Sequence, residues 1–338
     1  MQTTTLDVRL LDTRDDAALR RWHEVSQAAE RFERPWATTW TFEEMVLQVR
    51  AEDEAMGWKM LGAYDGEDMV GGAALMLPRL DNLDKVYGVI VVHPDRRRRG
   101  VGGRIVEEVV ALMRAEDRSV LLVESGFPGE DRDEHPYARF ARKHGFTMAN
   151  VEVHRVLDLP LDPELIRSMQ AEAATHHTGY ELVTFQDRVD EELVPSYVRL
   201  LNQLAVGAPT GDIDFEEEGL TPEVHERQVD RMLRQGRHKL VTLALTPAGE
   251  VVAHSDLLVP AGDRPKVYQW GTLVRRDHRG HHLGAAVKPQ NLLALQERFP
   301  DRTEIHTTNA ENNAAMVGIN ERLGFRVVEI CPEFMLEL

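Results

Sequence analysis

Apolar positions along the chain alternate between two patterns. Short alternating or continuous runs of strand length give way to longer segments in which apolar residues recur every three or four positions. In the first half, residues 6–11 start as a strand and residues 15–27 follow with helical spacing. Thr41-Phe42-Glu43-Glu44 places a hydroxyl three residues before a carboxylate, a capping box that opens a helix to about residue 51. Residues 59–64 and 69–77 alternate as strands around Asp65-Gly66-Glu67-Asp68, a hairpin turn signal. A strand over 85–92 precedes a helix over 102–115, whose Ile105, Val106, Val109, Leu112 and Met113 share one face. A strand over 120–124, a helix over 137–143 stopped at Gly145, and a strand over 151–157 complete the half.

The second half repeats this order. A strand over 180–183 and a helix over 191–204 come first, and Thr221-Pro222-Glu223 then supplies a cap, a first-turn proline and a first-turn acid for a helix to about residue 235. Strands over 239–246 and 251–259, a strand over 266–274, a helix over 283–299, a strand over 304–308, a helix over 312–323 and a strand over 327–338 follow. Gly284 lies 182 residues after Gly102, and Phe325 lies 179 after Phe146. A near-constant offset across ordered motifs is the mark of a duplication. The expected organisation is therefore an N-terminal domain over 1–160, a linker over 161–179 and a C-terminal domain over 180–338.

Composition narrows the class. A chain of 338 residues suits two cores better than one. No apolar run approaches the roughly 20 residues that span a bilayer, and residues 1–7 carry neither a basic start nor an apolar stretch, so a cytoplasmic protein without a signal peptide is expected. The lone Cys331 fits a reducing compartment and reads as a packing residue. A net charge of −17 argues against nucleic acid as a partner and favours cationic ones.

Within this acidic chain two basic loops stand out, each between a strand and a helix. The first runs Val91-Val92-His93-Pro94-Asp95-Arg96-Arg97-Arg98-Arg99-Gly100-Val101-Gly102-Gly103, and the second Leu273-Val274-Arg275-Arg276-Asp277-His278-Arg279-Gly280-His281-His282-Leu283-Gly284-Ala285. Such a loop offers backbone N–H groups and a helix dipole to an anion. A Walker loop requires Lys-Ser or Lys-Thr after its last glycine, which neither copy has, and Ile105 stands where a dinucleotide fingerprint needs its third glycine. The adjacent pairs His176-His177 and His281-His282 do not make a metal-ligand spacing, so no metal is expected.

Arg97-Arg98-Arg99-Gly100-Val101-Gly102 resembles the pyrophosphate loop of the GNAT superfamily of acyl-CoA-dependent N-acyltransferases. Arg279-Gly280-His281-His282-Leu283-Gly284 resembles it again. The stretch Thr308-Asn309-Ala310-Glu311-Asn312-Asn313 with Leu323-Gly324-Phe325 is similar to that family's second cofactor segment. The resemblance covers nearly the whole chain as two tandem copies. It implies an α/β (α+β) protein of two GNAT-like domains, each a mixed, mostly antiparallel, splayed sheet flanked by helices, with the halves packed on each other. It implies acetyl-CoA as cosubstrate, held by Val91, Val92, Arg97, Arg98, Arg99, Gly100, Val101, Gly102 and Gly103 in the first half. In the second half the corresponding residues are Leu273, Val274, Arg279, Gly280, His281, His282, Leu283, Gly284, Ala285, Asn309 and Asn313. The activity implied is direct acetyl transfer to a primary amine of a small molecule or peptide; a non-catalytic acyl-CoA-binding or regulatory protein is the alternative.

The two copies depart from the family pattern in different places. His282 replaces the middle glycine of the second loop, whereas Glu124-Ser125-Gly126-Phe127-Pro128 and His135-Pro136-Tyr137 replace the Asn-rich stretch of the first half. Many family members carry a tyrosine acid four residues before the glycine of the Gly-Phe pair; here Ala141 and Asn320 stand there. A base that takes the amine's proton is expected on a strand beside the splayed gap. Asp256 in His254-Ser255-Asp256 and Glu124 at the end of its strand are the candidates, with His254 a third. The second half is the expected seat of catalysis.

Overall fold

The computed structural model describes residues 6–128, 131–263 and 265–338. In chain order the elements are β1 (Leu6–Leu10), α1 (Asp16–Glu30), α2 (Phe42–Val49), β2 (Met56–Asp65), β3 (Asp68–Pro78), β4 (Lys85–Val92), α3 (Val101–Ala115), β5 (Val120–Glu124), α4 (Pro136–Lys143) and β6 (Thr147–Asp158). They continue with α5 (Pro163–Ala174), β7 (Glu181–Gln186), α6 (Val194–Leu201), α7 (Leu204–Gly207), α8 (Pro222–Arg234), β8 (His238–Leu245), β9 (Val251–Val259), β10 (Lys266–Val274), α9 (Leu283–Arg298), β11 (Glu304–Ala310), α10 (Ala314–Leu323) and β12 (Arg326–Glu337). A 3-10 turn stands between β4 and α3 and another between β10 and α9.

Local chemistry sets many of these limits. Thr41 and Glu44 complete the capping box of α2, Thr221 caps α8, and Gly66 turns the β2–β3 hairpin at a φ of +67°. The single helix expected over 191–204 is interrupted at Asn202 and Gln203, leaving α6 and the short α7.

The chain forms two compact units that are not contiguous in sequence. The first comprises residues 1–151, 211–213 and 329–338, and the second residues 152–210 and 214–328. In the first unit the strand order is β1-β2-β3-β4-β5-β12. All neighbours are antiparallel except β4 and β5, which run parallel from Lys85↔Val120 to Gly88↔Val123 and then part. In the second unit the order is β6-β11-β10-β9-β8-β7, again antiparallel except for β10 and β11, which pair from Lys266↔Glu304 to Tyr268↔His306 and then part. Each is a mixed, mostly antiparallel sheet with helices on both faces, and each opens between its one parallel pair.

Apolar burial follows these layers. Val70, Leu75, Val86 and Leu121 pack against Ile105, Val109 and Met113 of α3 on one face of the first sheet, and Leu19 and Trp22 of α1 cover the other face with Met60 and Ala74. Phe334 of β12 belongs to this first core. In the second unit Leu257, Val267 and Ile305 pack under Leu292 and Leu295 of α9, and Tyr197 and Val198 of α6 cover Val241 and Leu243 on the opposite face. Ile166 and Met169 of α5 join the α9 core, so this helix is a packed element of the second unit. No helix among the described residues is long and apolar enough to cross a membrane.

Candidate active site

The two basic loops have nearly the same backbone. Arg98 and Gly100 take left-handed φ values of +63° and +85°; the equivalent positions, Gly280 and His282, take +87° and +54°. Each copy thus holds one glycine and one bulky residue at two positions that favour glycine, a cost of roughly 1 kcal/mol for each bulky residue. Gly100 and His282 are the N-caps of α3 and α9, and in neither helix does a side chain cap the first turn. The first-turn N–H groups therefore face outward where the helix dipole is positive, an arrangement suited to a phosphate. A Cβ placed on Gly100 or Gly280 would meet nothing within 4 Å, which leaves the peptide plane open to a ligand.

Arg97, half-buried, and Arg279, exposed, both bond back to the protein backbone. Arg97 donates to the carbonyl of Val92 (3.2 Å), to the Tyr137 hydroxyl (3.0 Å) and to the Ala29 carbonyl (3.3 Å). Arg279 donates to the carbonyl of Val274 (3.3 Å) and of Gly207 (3.0 Å). These side chains tie the loop to the end of the strand before it, whereas Arg98 and Arg99 are exposed and make no such tie to the strand end. Gly102 and Gly103 have a packing role: a Cβ there would come within 3.0 Å of the Phe140 ring and 2.9 Å of the His144 ring, so the glycines let α4 approach α3. Gly284 meets only ordinary contacts, with Leu283 and Gly284 buried and Ala285 half-buried at the start of α9. Exposed His281 stands 5.4 Å from the ring of Tyr180, and exposed His282 stacks on His176 at 3.9 Å.

The strands beside the loops differ more than the loops do. In the first unit β3 and β4 keep a continuous register through Val91 and Val92. In the second unit β9 and β10 slip by one residue between Gln269 and Gly271, at the point where β10 leaves β11, and Trp270 is exposed there. The residues after the bulge, Thr272, Leu273 and Val274, lead directly into the loop. A bulge breaks the ladder and turns backbone groups out of it.

Behind the bulge lies a buried polar cluster. Asp256 on β9 is 3% exposed; its Oδ2 lies 2.7 Å from Lys239 Nζ and accepts from the Tyr197 hydroxyl at 2.6 Å, while Oδ1 lies 3.0 Å from His254 Nδ1. Lys239 also donates to the Tyr197 oxygen at 2.9 Å. Burial alone would raise the Asp256 carboxyl, but Lys239 and His254 overcome it and hold the carboxyl well below the usual carboxylate range. The Tyr197 hydroxyl is pushed well up by burial and by the charge of Asp256. His225, edge-on to Tyr197, is brought down to about 4 by burial and by Lys239. Asp256 is thus a fixed anion with little proton affinity. Glu124, the other carboxylate expected as a base, is exposed at the end of β5, opposite Glu333 of β12 in the first unit.

On the other face of the second sheet, Lys288 of α9 is 1% exposed and donates to Asn320 Oδ1 at 2.5 Å, and Asn320 donates to Asn309 Oδ1 at 2.5 Å. Burial and the nearby Arg155 bring the Lys288 amine down to about 7. Asn309, at the end of β11, therefore belongs to a side-chain chain reaching into α9, and Asn313 caps α10 by accepting from the Met316 amide at 3.3 Å. Sequence reasoning missed Lys239, Tyr197 and Lys288. The signal for the first two was the polar His254-Ser255-Asp256 inside β9, a strand otherwise wholly apolar: a carboxylate buried there requires a cation and donors from neighbouring elements. Among the described residues no group of side chains could hold a metal ion.

Each unit has parted parallel strands and a helix start without a side-chain cap, and the second adds a bulge beside a polar cluster; comparison with known proteins gives this arrangement its class. Residues 57–148 match the acetyltransferase (GNAT) domain family. A mycothiol acetyltransferase of Thermobispora bispora is 29% identical over 276 residues, 80% of each chain. Among solved structures, a tandem GNAT protein from the clavulanic acid biosynthesis pathway superposes with a TM-score of 0.77 at 23% identity over 98% of both chains. A GCN5-related N-acetyltransferase from Sphaerobacter thermophilus gives 0.64 at 17% identity over 98% of this chain and 95% of its own. Residues 57–148 are thus a GNAT acetyltransferase domain, which makes the protein an acyltransferase, and the whole chain shares its fold with tandem GNAT proteins.

Proposed function

We propose that this protein moves the acetyl group of acetyl-CoA directly to a primary amine of a small molecule or peptide, and that the second unit performs the transfer. In this reading the loop of residues 279–285 cradles the pyrophosphate, the pantetheine arm enters between β10 and β11 along Leu273 and Val274, and an amide turned out at the bulge polarises the thioester carbonyl. The first unit holds acetyl-CoA at residues 97–103 and along Val91 and Val92 without transferring its acetyl group. The observation that carries the assignment is the coincidence, in the second unit, of the strand parting, the β10 bulge and a buried polar cluster on β9. The first unit has the parting and the loop but a continuous β3–β4 register.

The test is incubation with acetyl-CoA and spermidine, glucosamine or a short lysine-containing peptide, with products read by mass spectrometry. One amine should gain a single acetyl group stoichiometrically with free CoA. Acetyl-CoA that is bound but never passed to any amine would contradict the proposal and favour a binding protein.

A further inference from the structure

His254 uses only one of its two ring nitrogens in holding the fold. It is fully buried on β9, and Nδ1 lies 3.0 Å from the Asp256 carboxylate. A carboxylate only accepts, so Nδ1 carries the hydrogen, and in the form with a single ring hydrogen Nε2 is a bare acceptor. That Nε2 is buried and has no hydrogen-bond partner in the protein. An orphaned buried acceptor costs about 1–3 kcal/mol, and a fold does not keep one without compensation. Two more orphaned oxygens, Gln269 Oε1 and Asn291 Oδ1, belong to amides whose nitrogens bind the backbone around the same bulge: Gln269 donates to the carbonyls of Asp256 (2.7 Å) and Gly271 (3.0 Å), and Asn291 to that of Ser255 (2.8 Å).

The ring lies against the bulge itself. A Cβ on Gly271 would stand 3.1 Å from His254 Cε1 and 3.9 Å from Nε2, so only a glycine at the bulge lets the imidazole edge pack this close to the β10 backbone. The charged and titratable groups around the ring come from three elements besides its own strand: Tyr197 of α6, whose ring is edge-on at 5.7 Å, Lys239 of β8, and His225 of α8 beyond Tyr197. Lys239 and Tyr197 occupy Asp256 Oδ2 and leave Oδ1 to the imidazole. The whole cluster therefore fixes one tautomer and one orientation of His254.

We infer that His254 is the general base of acetyl transfer in the second unit and that Asp256 is its positioning residue, an assignment that rests on the transfer reading given above. Because Nε2 is enclosed, the proposed transfer runs through one water admitted at the bulge: Nε2 takes a proton from that water as the water takes one from the acceptor's ammonium group, which frees the nitrogen lone pair. The lone pair attacks the thioester carbonyl carbon, the C–S bond breaks, and its electron pair leaves on the CoA sulfur. The nitrogen's surplus proton passes to that thiolate, giving amide and CoA thiol, and the imidazolium returns its proton to solvent.

The assignment is tested on the intact chain with two readouts. Nitrogen-15 NMR of the labelled imidazoles should show His254 protonated at Nδ1 in the wild type, and Asp256→Asn should change that tautomer; a wild-type proton on Nε2 overturns the assignment. With the amine that the wild type acetylates, His254→Gln should lower kcat about 10²- to 10⁴-fold while the KM for acetyl-CoA stays the same. A His254→Gln enzyme within about threefold of the wild-type kcat overturns the base assignment and leaves the transfer reading standing. A wild type that acetylates none of the amines overturns both.

Discussion

At the scale of single residues, the chain keeps two costly arrangements close to its loops. One is the pair of bulky residues in left-handed backbone, Arg98 and His282. The other is Lys288, a buried amine with an amide oxygen as its hydrogen-bond acceptor. Because folding lowers this amine from 10.5 to about 7, the unfolded chain binds its proton more tightly than the folded one. Between those pH values the unfolded state carries the extra proton, so stability rises as pH rises from about 7 to 10.5 and the penalty is complete below about 7. Lys288→Met should remove most of that rise. It should also stabilise the protein near pH 7 by about 2 kcal/mol, after the loss of Asn320's donor is subtracted. Urea unfolding from pH 6 to 10 is the check; an unchanged slope with pH would show that Lys288 is not the group responsible.

At the scale of elements, the strands and helices were largely legible because each carries its own period and punctuation. β4, β5, β9 and β10 occupy the predicted residues, and the box at Thr41 and the Thr221-Pro222 cap set helix starts where expected. Two things were not legible. Period shows that residues 327–338 form a strand but not which sheet takes it, and β12 pairs with β5 of the first unit, from Glu333↔Glu124 to Glu337↔Val120. Residues 158–179, with prolines at 160 and 163, read as a linker containing a helix; that helix is α5, and what the sequence did not show is that its Ile166 is fully buried in the second core. The buried cluster at Asp256 was half legible: the polar triple on β9 is plain in sequence, but its cation comes from β8 and its hydroxyl from α6, partners that only the fold brings together. The place of β12 makes a prediction. Phe334→Ala should cost about 3–5 kcal/mol, and amide exchange should quicken in β4 and α3 while β8 and β9 keep their protection. Equal loss of protection in β8 and β9 would contradict the assignment of this strand to the first unit.

At the scale of the whole molecule, duplication has left two loops with the same backbone and different surroundings. The family match falls on residues 57–148, in the unit with the intact Arg-Arg-Arg-Gly-Val-Gly loop, yet the bulge, the orphaned imidazole and the buried ion pair all lie in the other unit. In the reading proposed above, the chemistry depends on what stands behind the loop and not on the loop's own sequence. The most direct test of this division is acetyl transfer measured in two variants, Gly100→Val and Gly280→Val. Each puts a β-branched residue at a φ of +85° or +87° and spoils one cradle. Our account predicts that Gly280→Val abolishes acetyl transfer, while Gly100→Val loses one CoA-binding site by calorimetry and continues to transfer. Loss of transfer in Gly100→Val with wild-type turnover in Gly280→Val would contradict it and move the active site to the first unit.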